Sequence, residues 1–522
     1  MSLLHKLDTY WQKPLLYWPL LLLLAAATPL TFAPYYHFWL MPLLFAALIR
    51  LWELRPRRAV AAAYLFGLAA YTAQFYWIHT ALHDVSGLPN LYAVPLTFLL
   101  PAFLALYPAA CIWLWEKFTL PRWLHIGVAL PLLWTLTEFA RERLLTGFGW
   151  GALGYSQIAD GSPLAGFAPI GGIHLVTLTT ACLGAWLVLL VNSPGRTKIR
   201  LGAAAAISAL LLGGQAARHT EFTHPDGSSA TVALAQGNIA QTLKWTEAQV
   251  APTIQRYYDQ VAHTHADIVI LPETAIPVMR QSLPEGVINQ FADQAARNGS
   301  ALALGIAQYT ADGAGYENAV INLAGYNPEQ AAAPYYAKNH LVPFGEYIPL
   351  SGFLSWVLPA LQNDPSMSGF SRGDRDQQPF SIKGKHLAAA ICYEVAYPNL
   401  TRRNASQSDF LVTVSNDAWF TGTAGPLQHL QMVQMRAKEN GRWFIRATNT
   451  GVTAFIDHQG HIVKRAPQDV ATVLRGELPA MQGQTLYTRL SDWPILGFSV
   501  FLLILGWIYR PRKVDVSFKS RR

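Results

Sequence analysis

Long apolar runs limit this chain more than any other feature. A run of about 20 mostly apolar residues matches the hydrocarbon thickness of a bilayer. Every backbone polar group there must be satisfied by the chain itself, so each run is expected to be a helix. Eight candidates lie near 14–33, 37–54, 59–80, 91–115, 123–140, 168–191, 199–216 and 491–509. The fourth and fifth contain Pro95, Pro101, Pro108 and Pro131, so kinks are expected there. The first reads as a span and not as a cleaved signal peptide, because it lacks a small-residue cleavage site and further runs follow. Composition agrees: 52% of the 522 residues are hydrophobic and 13% charged, against about 25% charged in soluble domains. That excludes a water-soluble globule and a disordered chain. The expected layout is a seven-helix membrane domain over 1–217 and a soluble domain over 225–485. A last membrane helix over 488–510 and a basic tail over 511–522 follow.

Basic residues orient this layout. Lys6, Lys13, Arg50, Arg55, Arg57, Arg58, Lys117, Arg122, Arg196, Lys198 and Arg200 fall on one side if the N-terminus is cytoplasmic, and the basic tail joins them. The opposite loops around 33–37 and 81–90 carry no Lys or Arg. Positive charge on short loops marks the cytoplasmic side, so both termini are expected inside and residues 217–490 outside. The net charge of +8 is thereby absorbed at helix ends, and nucleic acid is not an expected partner. Arg141 and Arg143 break the pattern. They read either as snorkelling side chains at a helix end or as contacts to phospholipid headgroups. Cys111 and Cys182 sit inside apolar runs and Cys392 alone lies in the soluble part, so no disulfide framework is expected.

Within the soluble part, strands are expected at 230–239, 267–273, 301–309, 318–325, 335–341, 386–394, 409–417, 443–448, 452–457 and 461–465. Helices are expected at 246–265, with Thr246 as N-cap, at 284–299, closed by Gly299, and at 426–441. The alternation points to layered α/β. The sequence holds no Gly-rich phosphate loop and no His/Cys cluster at metal spacing, so no cofactor or metal is expected.

Three polar residues stand at informative places. Glu273 ends one apolar strand in "LPETAIP", Cys392 ends another in "AAAICYE", and Lys338 lies in "YYAKNHLVPFGEYIP". A carboxylate can take a thiol proton, a thiolate attacks a carbonyl, and an ammonium can hold the resulting oxyanion. Each alone has an ordinary reading. Cys392 is then a core thiol, Glu273 a helix N-cap, Lys338 an exposed strand position and Glu346 a salt-bridge partner.

Together they resemble the nitrilase, or carbon–nitrogen hydrolase, superfamily. With the apolar N-terminal half, the whole chain resembles the apolipoprotein N-acyltransferase family of Gram-negative bacteria. The matching motifs are "QGNIAQTLKW" (236–245), "LPETAIP" (271–277), "KNHLVPFGEYIP" (338–349), "ICYE" (391–394), "VSNDAWF" (414–420) and "RAKENGRWFIRATNTGVTAFID" (436–457). The resemblance implies an αββα sandwich on an eight-helix membrane domain in the bacterial inner membrane, with the catalytic domain in the periplasm. It implies transfer of an acyl chain from a phospholipid, usually phosphatidylethanolamine, to the α-amine of a diacylglyceryl-cysteine apolipoprotein. The triad falls on Glu273, Lys338 and Cys392, and supporting roles on Glu346, Tyr393 and Glu394. Trp245 and Trp419 read either as lipid contacts near the site or as core, and a monomer is expected.

Residues 350–372 carry Phe353, Leu354, Trp356, Val357, Leu358 and Leu361 in a long connection, and are expected to form a lid against the bilayer, the alternative being a helix packed on the core. The alternative function is a membrane-tethered amidase with water as acceptor. A transporter or receptor whose soluble domain only binds ligand would leave the triad unexplained.

Overall fold

The computed structural model describes residues 8–326, 333–347 and 369–509. Among the described residues, five helical stretches are long and apolar enough to cross a bilayer: Pro14–Thr31, Asn90–Trp115, Arg122–Thr146, Pro163–Val191 and Thr197–Arg218. The other three expected spans correspond to Leu40–Leu54, Ala59–Gln74 and Trp493–Ile508, of 15, 16 and 16 residues. At about 1.5 Å per residue they reach about 24 Å, short of a hydrocarbon core of about 30 Å. Five spans, not eight, therefore meet the length. The tail at 511–522 and all of the expected lid except 369–372 lie outside the described residues.

The expected kinks are present. The fourth run breaks at Ala105 into Asn90–Leu104 and Leu106–Trp115, and a widened π-turn at His125–Ala129 precedes Pro131. A break at Gly171–Gly172 was not expected. Gly172 takes φ +67°, and a Cβ there would stand 2.5 Å from the Tyr487 ring, so only glycine fits. The helix restarts at Ile173, whose N–H donates to Glu439 Oε1 of the soluble domain at 2.7 Å.

Arg141 follows neither sequence reading. Arg141 is buried, and its Nη1 donates to the carbonyls of Phe148 and Trp150, each at 2.7 Å. Arg143 pairs with Asp492 at 3.3 Å and with Glu142 at 3.6 Å. The helix Leu130–Arg143 ends against the 147–150 loop, so Arg141 spends its hydrogen bonds on protein carbonyls.

The soluble domain is built on two six-stranded sheets. The first contains β1 (Thr223–Gln236), β2 (Ile268–Ile276), β3 (Ala301–Tyr309), β4 (Tyr316–Asn322), β5 (Tyr335–Ala337) and β12 (Thr472–Gly483), in the order β12-β1-β2-β3-β4-β5. The second contains β6 (Phe380–Ile382), β7 (Lys385–Ile391), β8 (Phe410–Ser415), β9 (Trp443–Thr448), β10 (Ala454–Ile456) and β11 (Ile462–Arg465), in the order β11-β10-β9-β8-β7-β6. Each has three parallel central strands, β1-β2-β3 and β7-β8-β9. Val232, Ile268, Ile270, Leu387, Val412 and Ile445 pack between the sheets. Helices Glu247–Ala262 and Val287–Arg297 cover the outer face of the first sheet, and Pro398–Ala405 and Gly425–Asn440 that of the second. The expected αββα sandwich is therefore the observed one.

Most expected elements hold to within a few residues. The strand expected at 335–341 stops at Ala337, β12 was not expected, and Thr246 precedes its helix without capping it. The Thr246 hydroxyl instead donates to Leu243 O at 2.8 Å.

The helix Gly425–Asn440 joins the two halves. Gln428 Oε1 accepts from the indoles of Trp77 and Trp150, and Gln431 Oε1 accepts from Ala33 N. Its polar residues are buried against membrane-side loops, which explains why this helix shows no polar face.

Candidate active site

Parallel strands gather the candidates. Glu273 lies near the carboxyl end of β2, Cys392 directly follows β7, Asn416 directly follows β8 and Lys338 directly follows β5. In layered α/β folds the carboxyl ends of parallel strands converge where chemistry is placed. Here two sheets supply them to one site.

Glu273 is not a helix cap, because β2 continues through it to Ile276. It is buried. Oε1 accepts from Asn318 Nδ2 at 2.6 Å and faces Lys338 Nζ at 3.4 Å, while Oε2 accepts from the Asn416 N–H at 2.8 Å. Gly305 on β3 permits this placement: a Cβ there would stand 2.2 Å from Pro272 O and 2.9 Å from Glu273 Cα.

Lys338 is buried as well, not an exposed strand position, with a relative exposure of 1%. Its Nζ donates to Glu346 Oε1 at 2.7 Å. Burial alone would lower the ammonium pKa, but Glu346 first and Glu273 second outweigh that and hold it above its usual value. Lys338 therefore stays charged throughout the physiological range. Glu346 Oε2 accepts from Val342 N at 2.8 Å, which fixes the carboxylate that fixes the lysine.

Cys392 has φ +52°, a left-handed conformation that non-glycine residues adopt at a cost. Burial pushes its thiol pKa up, the Glu273 carboxylate adds to this, and Lys338 opposes it. The resting group is thus a thiol. Glu394 sets the local backbone. Oε1 accepts from the N–H groups of Asn339 and His340, and Oε2 from Ile391 N and the Tyr336 hydroxyl. One carboxylate therefore ties the Lys338 strand end to the Cys392 turn. Tyr393 and Tyr397 donate from their hydroxyls to Gly147 O of the membrane half, at 3.3 and 2.9 Å.

The structure thus brings Glu273, Lys338, Cys392, Glu346 and Glu394 together. Trp245 and Trp419 stay at the surface, with exposures of 52% and 38%. Several residues around Glu273 were not singled out from the sequence. Asn318 and Asn416 hold its two oxygens. Lys244 donates to Thr274 Oγ1 at 2.6 Å and faces Glu273 O at 3.4 Å, from just before Trp245. "LKW" and "VSNDAWF" lay inside recognised motifs, but neutral amides and a lysine in a short turn carry no periodic signal. Among the described residues no cluster of His, Cys, Asp and Glu could hold a metal ion.

Lys244 gives a prediction. Burial pulls its pKa down to about 8, against about 10.4 in an unfolded chain. Between those values the unfolded state binds more protons, so the native protein gains stability as pH rises through this window. Lys244→Met removes the buried charge and should be as stable as wild type or more so at pH 7. The charge itself costs about 3 kcal/mol there, offset by about 1 kcal/mol for the lost Thr274 hydrogen bond. The advantage should vanish near pH 10. Melting curves at the two pH values in detergent check the sign. Acyl transfer should fall, because Thr274, at φ +44°, loses its anchor next to Glu273.

Comparison with known proteins follows the same division of the chain. Residues 231–486 match the family model described as carbon-nitrogen hydrolase, and residues 16–186 match that described as apolipoprotein N-acyltransferase N-terminal domain. A protein of Neisseria meningitidis serogroup B named apolipoprotein N-acyltransferase is 60% identical over 513 residues, 98% of this chain and 100% of its own. One of the same name from Chromobacterium violaceum is 46% identical over 501 residues, 94% of each chain.

Proposed function

The chain belongs to the apolipoprotein N-acyltransferase family, and from that premise we propose that Glu273, Lys338 and Cys392 perform the transfer through a thioester on Cys392. The acyl donor is a membrane phospholipid, with phosphatidylethanolamine the expected one. The acceptor is the free α-amine of a diacylglyceryl-cysteine at the start of an apolipoprotein. The single observation that carries this is the buried ion pair of Glu273 and charged Lys338 set beside the part-buried thiol of Cys392, at the ends of strands from two sheets.

In the first half, Glu273 takes the Cys392 proton as Sγ attacks the ester carbonyl of the phospholipid. The oxyanion is held by Lys338 Nζ and by a backbone N–H beside Cys392. The carbon–oxygen bond of the ester breaks, and the departing lysophospholipid oxygen takes the proton from Glu273. A thioester remains. In the second half the acceptor amine attacks that thioester, Glu273 takes a proton from nitrogen, and the carbon–sulfur bond breaks. The thiolate recovers its proton from Glu273, leaving an amide and a free enzyme. Glu346 and Glu394 hold Lys338 and the Cys392 turn in place. Trp245 and Trp419, exposed beside the site, contact the lipid.

The arrangement in the cell follows from charge. We place the helices before residue 217 and the helix at 488–510 in the inner membrane, the three short ones included. Residues 225–485 face the periplasm and both termini the cytoplasm. A monomer suffices, because one chain supplies every residue of the site. The amidase reading shares the triad but gives no role to the membrane half.

Intact mass spectrometry of wild type and Cys392→Ala, after incubation with phospholipid and no acceptor, tests the scheme. One acyl adduct on wild type alone, released by an amine-bearing lipopeptide, is expected. An adduct lost to water as fast as to amine would point to a lipid hydrolase instead.

A further inference from the structure

His429 is a buried imidazole on the helix Gly425–Asn440 that the acyl-transfer scheme leaves without a task. Its Nε2 lies 3.1 Å from the carbonyl oxygen of Cys392. A carbonyl can only accept, so Nε2 carries a proton and donates it. On the other edge, Nδ1 faces Asp417 Oδ1 at 3.0 Å and Arg446 Nη2 at 3.1 Å. Arg446 also grips Asp417 Oδ2, and the Ser415 hydroxyl donates to Asp417 Oδ1 at 2.9 Å. Burial first, and the Arg446 guanidinium second, keep the imidazole pKa below its ordinary value. The ring lies 5.3 Å from that of Trp150 in the membrane half.

The Cys392–Tyr393 peptide is planar, so its N–H points opposite to its C=O. Fixing the carbonyl therefore fixes the direction of the Tyr393 N–H. Tyr393 is the second residue of the single turn Cys392–Ala396, where an N–H has no partner within the turn. A hydrogen bond accepted by a peptide carbonyl also strengthens the donor at its other end. Resting on the thioester reading above, we propose that His429 is a positioning residue for acyl transfer. It holds the Cys392–Tyr393 peptide, with Cys392 in its left-handed conformation, so that the Tyr393 N–H faces the oxyanion. Arg446, itself fixed by Asp417, donates to Nδ1 and, with the Trp150 ring, holds the imidazole in turn.

The test uses full-length protein in detergent with phospholipid as donor, comparing wild type, His429→Phe and His429→Gln. Single-turnover acylation is followed by intact mass against donor concentration, and the thioester carbonyl band by infrared difference spectroscopy. Loss of a whole oxyanion donor costs about 10²–10³ in rate. Misdirecting one should cost about tenfold to a hundredfold in the limiting rate of His429→Phe, at an unchanged half-saturating donor concentration. The carbonyl band should move to higher wavenumber. His429→Gln, whose side-chain N–H can reach the same carbonyl, should recover most of the rate. A wild-type rate and band in His429→Phe would overturn the proposal. So would equal slowing of both variants with an unmoved band, since that outcome marks a packing role only. His429→Leu replaces the Phe variant if the latter does not fold. Failure of wild type itself to form an adduct would instead remove the thioester reading, and this inference with it.

Discussion

Glu273→Gln should leave Cys392 unacylated on any practical timescale. The thiol is held protonated by its surroundings, burial first and the Glu273 charge second. Attack therefore needs a base that accepts the proton as the bond forms. Loss of such a base costs about 10²–10⁴, and in the proposed scheme the same group returns the proton to the leaving oxygen, so both halves of the turnover lose it. Glutamine also misreads the pocket. Three donors, Asn318 Nδ2, Lys338 Nζ and Asn416 N–H, point at the two carboxylate oxygens. One of those oxygens becomes an NH₂ group, which sets donor against donor at a buried position, at about 1–3 kcal/mol. The expected result is a fall of at least about a thousandfold in single-turnover acylation and a slightly lower melting temperature. Adduct formation at a tenth of the wild-type rate would show that another group takes the proton.

The parts legible in the sequence share one physical cause. A long apolar run or a continuous apolar strand leaves a pattern in the chain itself. The strands ending at Glu273 and Cys392 are such runs, and a polar residue at the end of one stands out. Where burial comes from partners far along the chain, the pattern disappears. β12 contains Arg475, Glu477 and Pro479, alternates irregularly between buried and exposed, and is a strand because it lies antiparallel to β1 at the edge of a sheet. The break at Gly171–Gly172 depends on Tyr487, more than three hundred residues away. Arg141 looked like a lipid-facing charge because nothing near it in sequence announces the 147–150 carbonyls as its partners. Asn318, Asn416 and Lys244 are neutral amides or a turn residue until the two sheets bring them to Glu273. Lys338 follows a strand of only three residues, too short for its burial to be read from alternation. The three short apolar helices show the converse. Their apolar character was legible, but where each helix stops is set by turns such as the one at Arg55–Arg58 and not by hydropathy.

Lys338→Met should be the most damaging substitution that keeps the side-chain volume. In the proposed scheme the ammonium meets the oxyanion, and its removal also changes what stays behind. Glu346 Oε1, 2.7 Å from Nζ, and Glu273 Oε1, 3.4 Å from it, would face each other across an apolar methionine in a buried site. Breaking one partner out of a buried ion pair costs about 3–5 kcal/mol. The sign of the pH dependence then inverts. In wild type the Lys338 pKa is raised above its unfolded value, so its contribution is complete below about pH 10.4 and is lost only as pH rises through the higher folded value. Stability from this group is therefore flat between pH 5 and 9. In Lys338→Met the two carboxylates repel, and one will hold a proton that it releases on unfolding. The native state then binds more protons than the unfolded state near neutrality, so stability should rise as pH falls from 8 to 5. Acylation should drop by about a thousandfold or more, since a cation is lost where a single neutral donor is worth about 10²–10³. Acid pH should not restore it, because a protonated Glu273 can no longer act as base. Melting curves at pH 5 and pH 8 beside single-turnover rates separate these effects. A variant with a pH-independent melting temperature would show that Lys338 is not the charge that holds the two carboxylates ionised.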